Sequence, residues 1–273
     1  MGSEGERRPE VIRTNRELRE RFHRLRAGDV VAVVLGWAPG EEGLLLDLVT
    51  RGVRLFPPAL AQWLSRSKVL QAQVLGPWMV PGTAVVAHRR GLMEVMGSYA
   101  REGIGPVVTK GDRGDCGLGV HLWGSVEDVF NHAGSGPLEF PFVIQPLLTG
   151  VTDVRVIWIG DYVEAYWRRN PHSFRNNLHW GGESGRYALS PRQMELCREV
   201  MARGRFPYAF IDLMVTQEGE SWLSEIALRG GLRGARLSQG RYLEMVARLE
   251  EEFLAITARK GAGNRRGGPR RGG

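Results

Sequence analysis

The sequence predicts an α+β protein of two lobes. Residues 29–58 read as strand, helix and strand in succession, the pattern of a parallel β-α-β unit. Residues 100–169 hold short segments of period-2 alternation between turn signals, the pattern of an antiparallel sheet. A chain of 273 residues, 42% of them apolar, is long enough for more than one core at roughly 150 residues per domain.

Residues 1–27 read as a charged N-terminal extension. A helix beginning near Thr14 spaces Leu18, Phe22 and Leu25 for exposure or weak docking. A short α/β lobe follows over 28–75. In it "DVVAVVLGW" is a β-branched run ending at glycine, "EEGLLLDLVTRG" has helical spacing and "VRLFPP" supplies the second strand. "ALAQWLSRSKVLQAQVLG" reads as one helix, stopped by Gly76 and Pro77.

The body, 76–258, opens with the strand "MVPGTAVV", the helix "GLMEVMGSYAREG" and the strand "GPVVTK". Glycine-rich "GDRGDCGLGV" joins the last of these to "HLW". Strands "FPFVIQPLLTG", "DVRVIWIG" and "DYVEAYWRR" complete a β-rich lobe over 100–169. "SPRQMELCREVMARG" has Ser at the N-cap, Pro at the first helical position and Gly at the end. "FPYAFIDLMV" and "ESWLSEIAL" form a hairpin across "TQEGE". A last helix, about Gly240 to Ala258, places Tyr242, Val246, Leu249, Phe253 and Ile256 on one face.

The net charge of +7 is carried at the ends. Residues 1–27 have eight Arg against five Glu and residues 259–273 have six Lys or Arg and no acid, leaving about −2 on 28–258. A nearly neutral body argues against a nucleic-acid-binding core. The tail "GAGNRRGGPRRGG" has no apolar residue to offset chain entropy and is expected to be disordered, either simply solvated or in weak contact with RNA or an acidic surface. Cys116 and Cys197 have no metal-type spacing, no 18-residue apolar window occurs, and the N-terminus lacks a signal-type apolar run. The expectation is a soluble cytoplasmic protein that engages no membrane.

Three stretches carry candidate chemistry. In "VVTKGDRGDCGLGVHLW" a strand ends on Lys110, and glycines including Gly114 and Gly117 let backbone N–H groups approach an anion such as a triphosphate; a flexible hairpin turn is the plainer reading. The lysine precedes the glycines and no Lys-Ser/Thr pair follows, which excludes a P-loop. Asp212 and Glu225 lie on adjacent strands within apolar runs, where a carboxylate is costly unless neutralised; a shared divalent cation would do that, as would solvent at a sheet edge. "RRNPHSFRNNLHWGGE" crowds Arg168, Arg169, Arg175, Asn176, Asn177 and His179 into one polar loop, suited to a ligand or to solvent.

In order, these pieces resemble the ATP-grasp superfamily, most closely the branch of ribosomal-protein glutamate ligases and related amino-group-carrier ligases. "MVPGT" resembles the family's "gi-P-T", "PVVTKGDRGDCGLGV" its "PvvvKp..g..G.GV", and "FVIQPLLTGVTDVRVIWIGDYVEAYWRR" its "fvvQefi.g.D.Rv.vvG..vva...R". "FRNNLHWGG" is similar to "FRsNlhrGG", and "FIDLMV" with "EIALRGGLRGA" to "GvDi" with "EvN.sPGl.G". The likeness runs from about residue 65 to 235.

The resemblance implies an ATP-grasp fold, two α/β lobes gripping a nucleotide, with a lid subdomain at about 76–150. It assigns Lys68 and Lys110 to ATP phosphates and the loop Gly111 to Gly119 to a lid. Gln145 to Leu148, including Leu147, become the adenine hinge, and Asp153 a ribose contact. Arg168 and Asn177 face the transferred group, Arg155 contacts substrate, and Asp212 and Glu225 hold Mg²⁺. The implied activity is ATP-dependent carboxylate–amine ligation through an acyl phosphate, on a small-molecule or peptide carboxylate and an amine. Three positions depart from the pattern: Ala227 replaces an asparagine metal ligand, Gly230 a proline, and Pro146 an acidic hinge residue. Without the third ligand side chain, a degenerate nucleotide-binding protein or scaffold is the alternative.

Overall fold

The computed structural model describes residues 9–38, 40–113, 119–133, 138–171, 178 and 182–263. The chain forms two compact units, one drawing its described residues from Met1–Gln62 and Gly240–Gly273, the other from Trp63–Gln239.

In the first unit, β1 (Val11–Ile12), β2 (Val30–Ala32) and β3 (Arg54–Phe56) form a parallel sheet in the order β1-β2-β3. Helices α1 (Asn15–Arg21) and α2 (Gly43–Thr50) make the connections, so the β-α-β reading of this segment matches the fold. The segment 12–25 is docked on this unit rather than exposed. Ile12, Leu18 and Leu25 are buried in one cluster with Val31, Leu45 and Leu48, and burial of that apolar surface holds the segment down. Thr14 caps α1 with Glu17 returning the bond, the capping box that "TNRE" encodes.

Helix α3 (Ala59–Leu64) ends before α4 (Lys68–Leu75), where the sequence suggests one continuous helix. The break comes from Ser67, whose Oγ accepts the Leu70 N–H and starts α4 afresh with Lys68 as its first residue. The C-terminal helix α8 runs Gln239–Gly263, beyond the expected end at Ala258. Tyr242, Val246, Leu249 and Phe253 lie on its half-buried stripe as expected, but Ile256 is exposed, and Thr257 is the buried residue of that turn.

The second unit holds two sheets. One has the order β4 (Ala84–Val86), β7 (Phe142–Pro146), β5 (Val107–Gly111), β6 (Val120–Trp123), all antiparallel, with α5 (Arg89–Glu102) and α6 (Val126–His132) packed on it. The other has the order β10 (Glu183–Arg186), β9 (Tyr162–Arg169), β8 (Thr152–Ile159), β11 (Tyr208–Val215), β12 (Ser221–Ala227), also antiparallel, with α7 (Pro191–Gly204) against it. The expected β-rich lobe of 100–169 is thus divided between two sheets, because β8 takes β11 as its long-range partner.

Directly paired residues of an antiparallel sheet project to the same face. Val154, Val156, Ile211, Leu213 and Ile226 make a fully buried face of the five-stranded sheet. Asp153, Arg155, Arg168, Asp212 and Glu225 therefore fall on its other face. Among the described residues no helix is long and apolar enough to cross a membrane.

Candidate functional site

The pairing register builds the site. Asp212 lies opposite Arg155 on one side and Glu225 on the other, and Arg155 lies opposite Tyr166, so one row reads Tyr166, Arg155, Asp212, Glu225. The adjacent row reads Arg168, Asp153, Met214. A bulge between Asp212 and Leu213 leaves Ser224 as the extra residue of β12.

Within these rows charges are closely matched. Arg155 donates Nε to Asp212 Oδ1 and Nη2 to Oδ2, both at 2.7 Å. Arg168 donates Nε to Asp153 Oδ1 at 2.6 Å and its Nη2 lies 2.9 Å from Asp212 Oδ2. Burial alone would raise the Asp212 pKa, but the two guanidiniums more than offset it and hold the carboxyl well below the usual range. Asp153 is pushed the other way, up to about 6, by burial and against the pull of Arg168.

The lysines come from α4 and β5. Lys110 donates Nζ to the Ser224 carbonyl at 3.2 Å, and Lys68 Nζ is 3.5 Å from Glu225 Oε1. Burial lowers the Lys110 pKa to about 8, with Glu225 opposing the shift and Lys68 adding to it. Lys68, Lys110, Arg155 and Arg168 thus stand with Asp153, Asp212 and Glu225, an excess of one positive charge at neutral pH.

Two residues that sequence reading passed over set this geometry. Asp112 accepts from Ser67 Oγ at 2.6 Å and Val69 N at 3.0 Å, while its own carbonyl accepts from Lys68 N at 3.1 Å. It joins the root of the glycine-rich turn to the start of α4, and so ties Lys68 to Lys110 two residues away. Gln71 is buried on α4, donates to the Leu64 and Ile226 carbonyls and accepts from Ile226 N, fixing β12 beside Glu225. Gln71 is a polar residue inside an otherwise apolar-patterned helix, the one signal that could have marked it; Asp112 stands among other polar residues and has no such signal.

The residues assigned to the hinge run on from the end of β7. Gln145 is buried on β7 opposite Val108, and the Leu147 N–H is donated to the Pro106 carbonyl at 2.9 Å, so that amide has a protein partner. Leu148 follows, half-buried. Asp153 is engaged with Arg168 at the position expected to meet ribose. Gly114, Gly117 and Asn177 lie outside the described residues, as do Arg175, Asn176 and His179; the Gly111 N–H to Gly119 carbonyl bond, 2.8 Å, closes the base of the glycine turn.

Among the described residues no three His, Cys, Asp or Glu side chains gather as a metal cage. Paired carboxylates on neighbouring strands fit a Mg²⁺ ion that brings phosphate oxygens and water with it, since that ion commonly takes only one or two protein carboxylates.

A family model, the RimK-like ATP-grasp domain, matches residues 65–242. No curated protein matches the chain. Among solved structures the fold is similar to a D-alanine–D-alanine ligase from Bacillus anthracis complexed with ATP, at TM-score 0.59 and 16% identity over 90% of this chain and 85% of that one. It is similar to the D-cycloserine synthetase DcsG, at TM-score 0.58 and 16% identity over 81% of this chain and 84% of that one. A third likeness is the ATP-grasp ligase PsnB with a phosphomimetic variant of its minimal precursor, Mg and ADP, at TM-score 0.50 and 17% identity over 76% of this chain. The chain spans 66% of the length of that relative, just under two thirds.

Proposed function

Since this chain belongs to the RimK-like ATP-grasp family, we propose that it is an ATP- and Mg²⁺-dependent carboxylate–amine ligase acting on an amino acid or peptide. The observation that carries the reading is the row of Asp212 and Glu225 within contact of Arg155, Arg168 and Lys68, with Lys110 bonded beside Glu225. Fold neighbours described with ATP, or with Mg and ADP, support the nucleotide and the ion.

In this reading Lys68 and Lys110 take the triphosphate, each as a point charge from a different element. Asp212 and Glu225 hold Mg²⁺, which when bound neutralises phosphate charge and polarises the transferred group. A substrate carboxylate oxygen attacks the γ-phosphorus, the bond to the β-phosphate oxygen breaks and ADP leaves. The amine nitrogen then forms the new bond at the carbonyl carbon, phosphate departs and the nitrogen loses its proton. Arg168 and Arg155 are placed to stabilise the negative oxygens of the acyl phosphate and to orient the anionic substrate, with Asn177 proposed nearby.

The test is ADP and phosphate release with a panel of amino acids and acidic peptides, using substrate labelled with ¹⁸O in the carboxylate. Label appearing in the released phosphate supports the acyl phosphate. Nucleotide binding without turnover on any pair favours the second reading, a degenerate nucleotide-binding protein, which Ala227 motivates because it offers no oxygen two residues after Glu225.

A further inference from the structure

Phe210 is the direct partner of Ala227 across β11 and β12, two residues from Asp212 on its own strand, as Ala227 is two residues from Glu225. All four project to one face. The Phe210 side chain is buried, and Gly230 passes so near that a β-carbon there would stand 2.6 Å from its ring Cγ and 2.7 Å from Cδ1. No real β-carbon is tolerated at that distance from a packed ring. The ring therefore fills the space against the Gly230 backbone, where any residue but glycine would collide with it, and it stands beside Ala227 as that residue's strand partner. Two departures from the family pattern, Ala227 and Gly230, thus border one ring.

We propose that Phe210, Ala227 and Gly230 form an apolar plug that closes the oxygen-donor position beside Glu225, so that this face holds a single divalent cation, delivered with the nucleotide. The inference rests on the ligase reading for its nucleotide. A Mg²⁺ gripped by Asp212 and Glu225 completes its oxygen shell from phosphates and water. A second ion would need further protein oxygens where the next row of the face offers Ala227, Phe210 and Ile157.

The experiment titrates Mn²⁺ into the full chain with a non-hydrolysable ATP analogue and counts bound ions by loss of the free-ion electron paramagnetic resonance signal, with nucleotide retention measured in parallel. The wild type and Ala227→Asn each retain one ion, and Phe210→Ala/Ala227→Asn gains a second. A second ion in the wild type overturns the single-ion site. A second ion in Ala227→Asn alone, or none gained in the double variant, overturns the plug. Should the double variant not fold, Ala227→Asp serves beside Ala227→Asn, and a second ion in either is decisive against the plug. Nucleotide retained with no ion overturns the inference and leaves the nucleotide site standing. Loss of both defeats the ligase reading as well. Gly230→Ala supplies an independent check, lowering Tm in the wild type and much less in Phe210→Ala.

Discussion

Arg155 grips Asp212 with two hydrogen bonds of 2.7 Å, Nε to one carboxylate oxygen and Nη2 to the other. With Arg168 at 2.9 Å, Asp212 is saturated by guanidinium before any cation reaches it. The carboxylate that the family pattern makes a metal ligand is the counter-ion of two arginines. In the proposed ligase a nucleotide-borne ion would share or displace them, and each guanidinium so released would become available to an anionic substrate.

Asp212→Asn tests that pairing through stability. Removing one partner of a buried ion pair leaves uncompensated charge and costs about 3 kcal/mol, roughly 6–12 °C in Tm for a chain of this size. Asp212→Leu combined with Arg155→Met removes both charges and recovers most of that loss, while turnover stays absent. A double variant that is active would show that neither residue meets the reacting groups.

The Lys110 pKa of about 8 gives nucleotide affinity a pH dependence. Its folded value lies below that of a free lysine, so the charged fraction falls as pH rises through 8, from about nine-tenths at pH 7 to about one-tenth at pH 9. If phosphate binds the protonated amine, ADP affinity drops about tenfold per pH unit above 8. Phosphate raises the pKa in the complex, so binding near pH 8.5 takes up a proton. Calorimetry in two buffers of different ionisation enthalpy measures that uptake, and Lys110→Met should abolish it. Unchanged uptake in the variant would remove Lys110 from the phosphate site.

Asp112 is expected to matter to nucleotide binding without touching nucleotide. Asp112→Ala removes the bonds to Ser67 Oγ and Val69 N and frees the start of α4, costing about 1 kcal/mol of stability as a lost cap does. The larger effect is on Lys68 and Lys110, whose spacing keeps only the backbone bond from Lys68 N to the residue-112 carbonyl, and ADP affinity falls roughly tenfold. Asp112→Asn, which keeps a side-chain oxygen, lies between. ADP affinity equal to wild type in Asp112→Ala would make the residue a helix cap only.

Asp212 and Glu225 were legible because an acid within β-spaced apolar residues is costly without a partner, and Lys110 because it ends a strand before glycines. Their partners were not. Arg155 reaches Asp212 through the pairing of β8 with β11, a contact between residues 57 apart in sequence, and no local pattern states which strands pair. The bulge that brings Ser224 under Lys110 is likewise a property of register. Some misses had local signals that stronger ones masked. Ser67 starts a helix inside a run whose apolar spacing continues across it, and α6 carries a capping box from Ser125 to Asp128 among neighbouring strands. β1 is two residues long, too short for any periodicity, and is held by its buried Ile12.

Glu225 separates the catalytic reading from the structural one most cleanly. Its side chain is 39% exposed and its contact with Lys68 is 3.5 Å, a pair that contributes at most about 1 kcal/mol once solvent screening is allowed for. Glu225→Gln should therefore fold and melt like the wild type. In the proposed ligase it removes one of two carboxylates from the ion and lowers turnover by at least about 10²-fold, with nucleotide affinity falling far less because Lys68 and Lys110 remain. Raising Mn²⁺ should restore part of the rate by mass action on a weakened site. Thermal melts, ADP affinity and steady-state turnover on one preparation distinguish the outcomes. Full turnover in Glu225→Gln would refute the metal site, and a large fall in Tm would assign Glu225 to holding β12 in place.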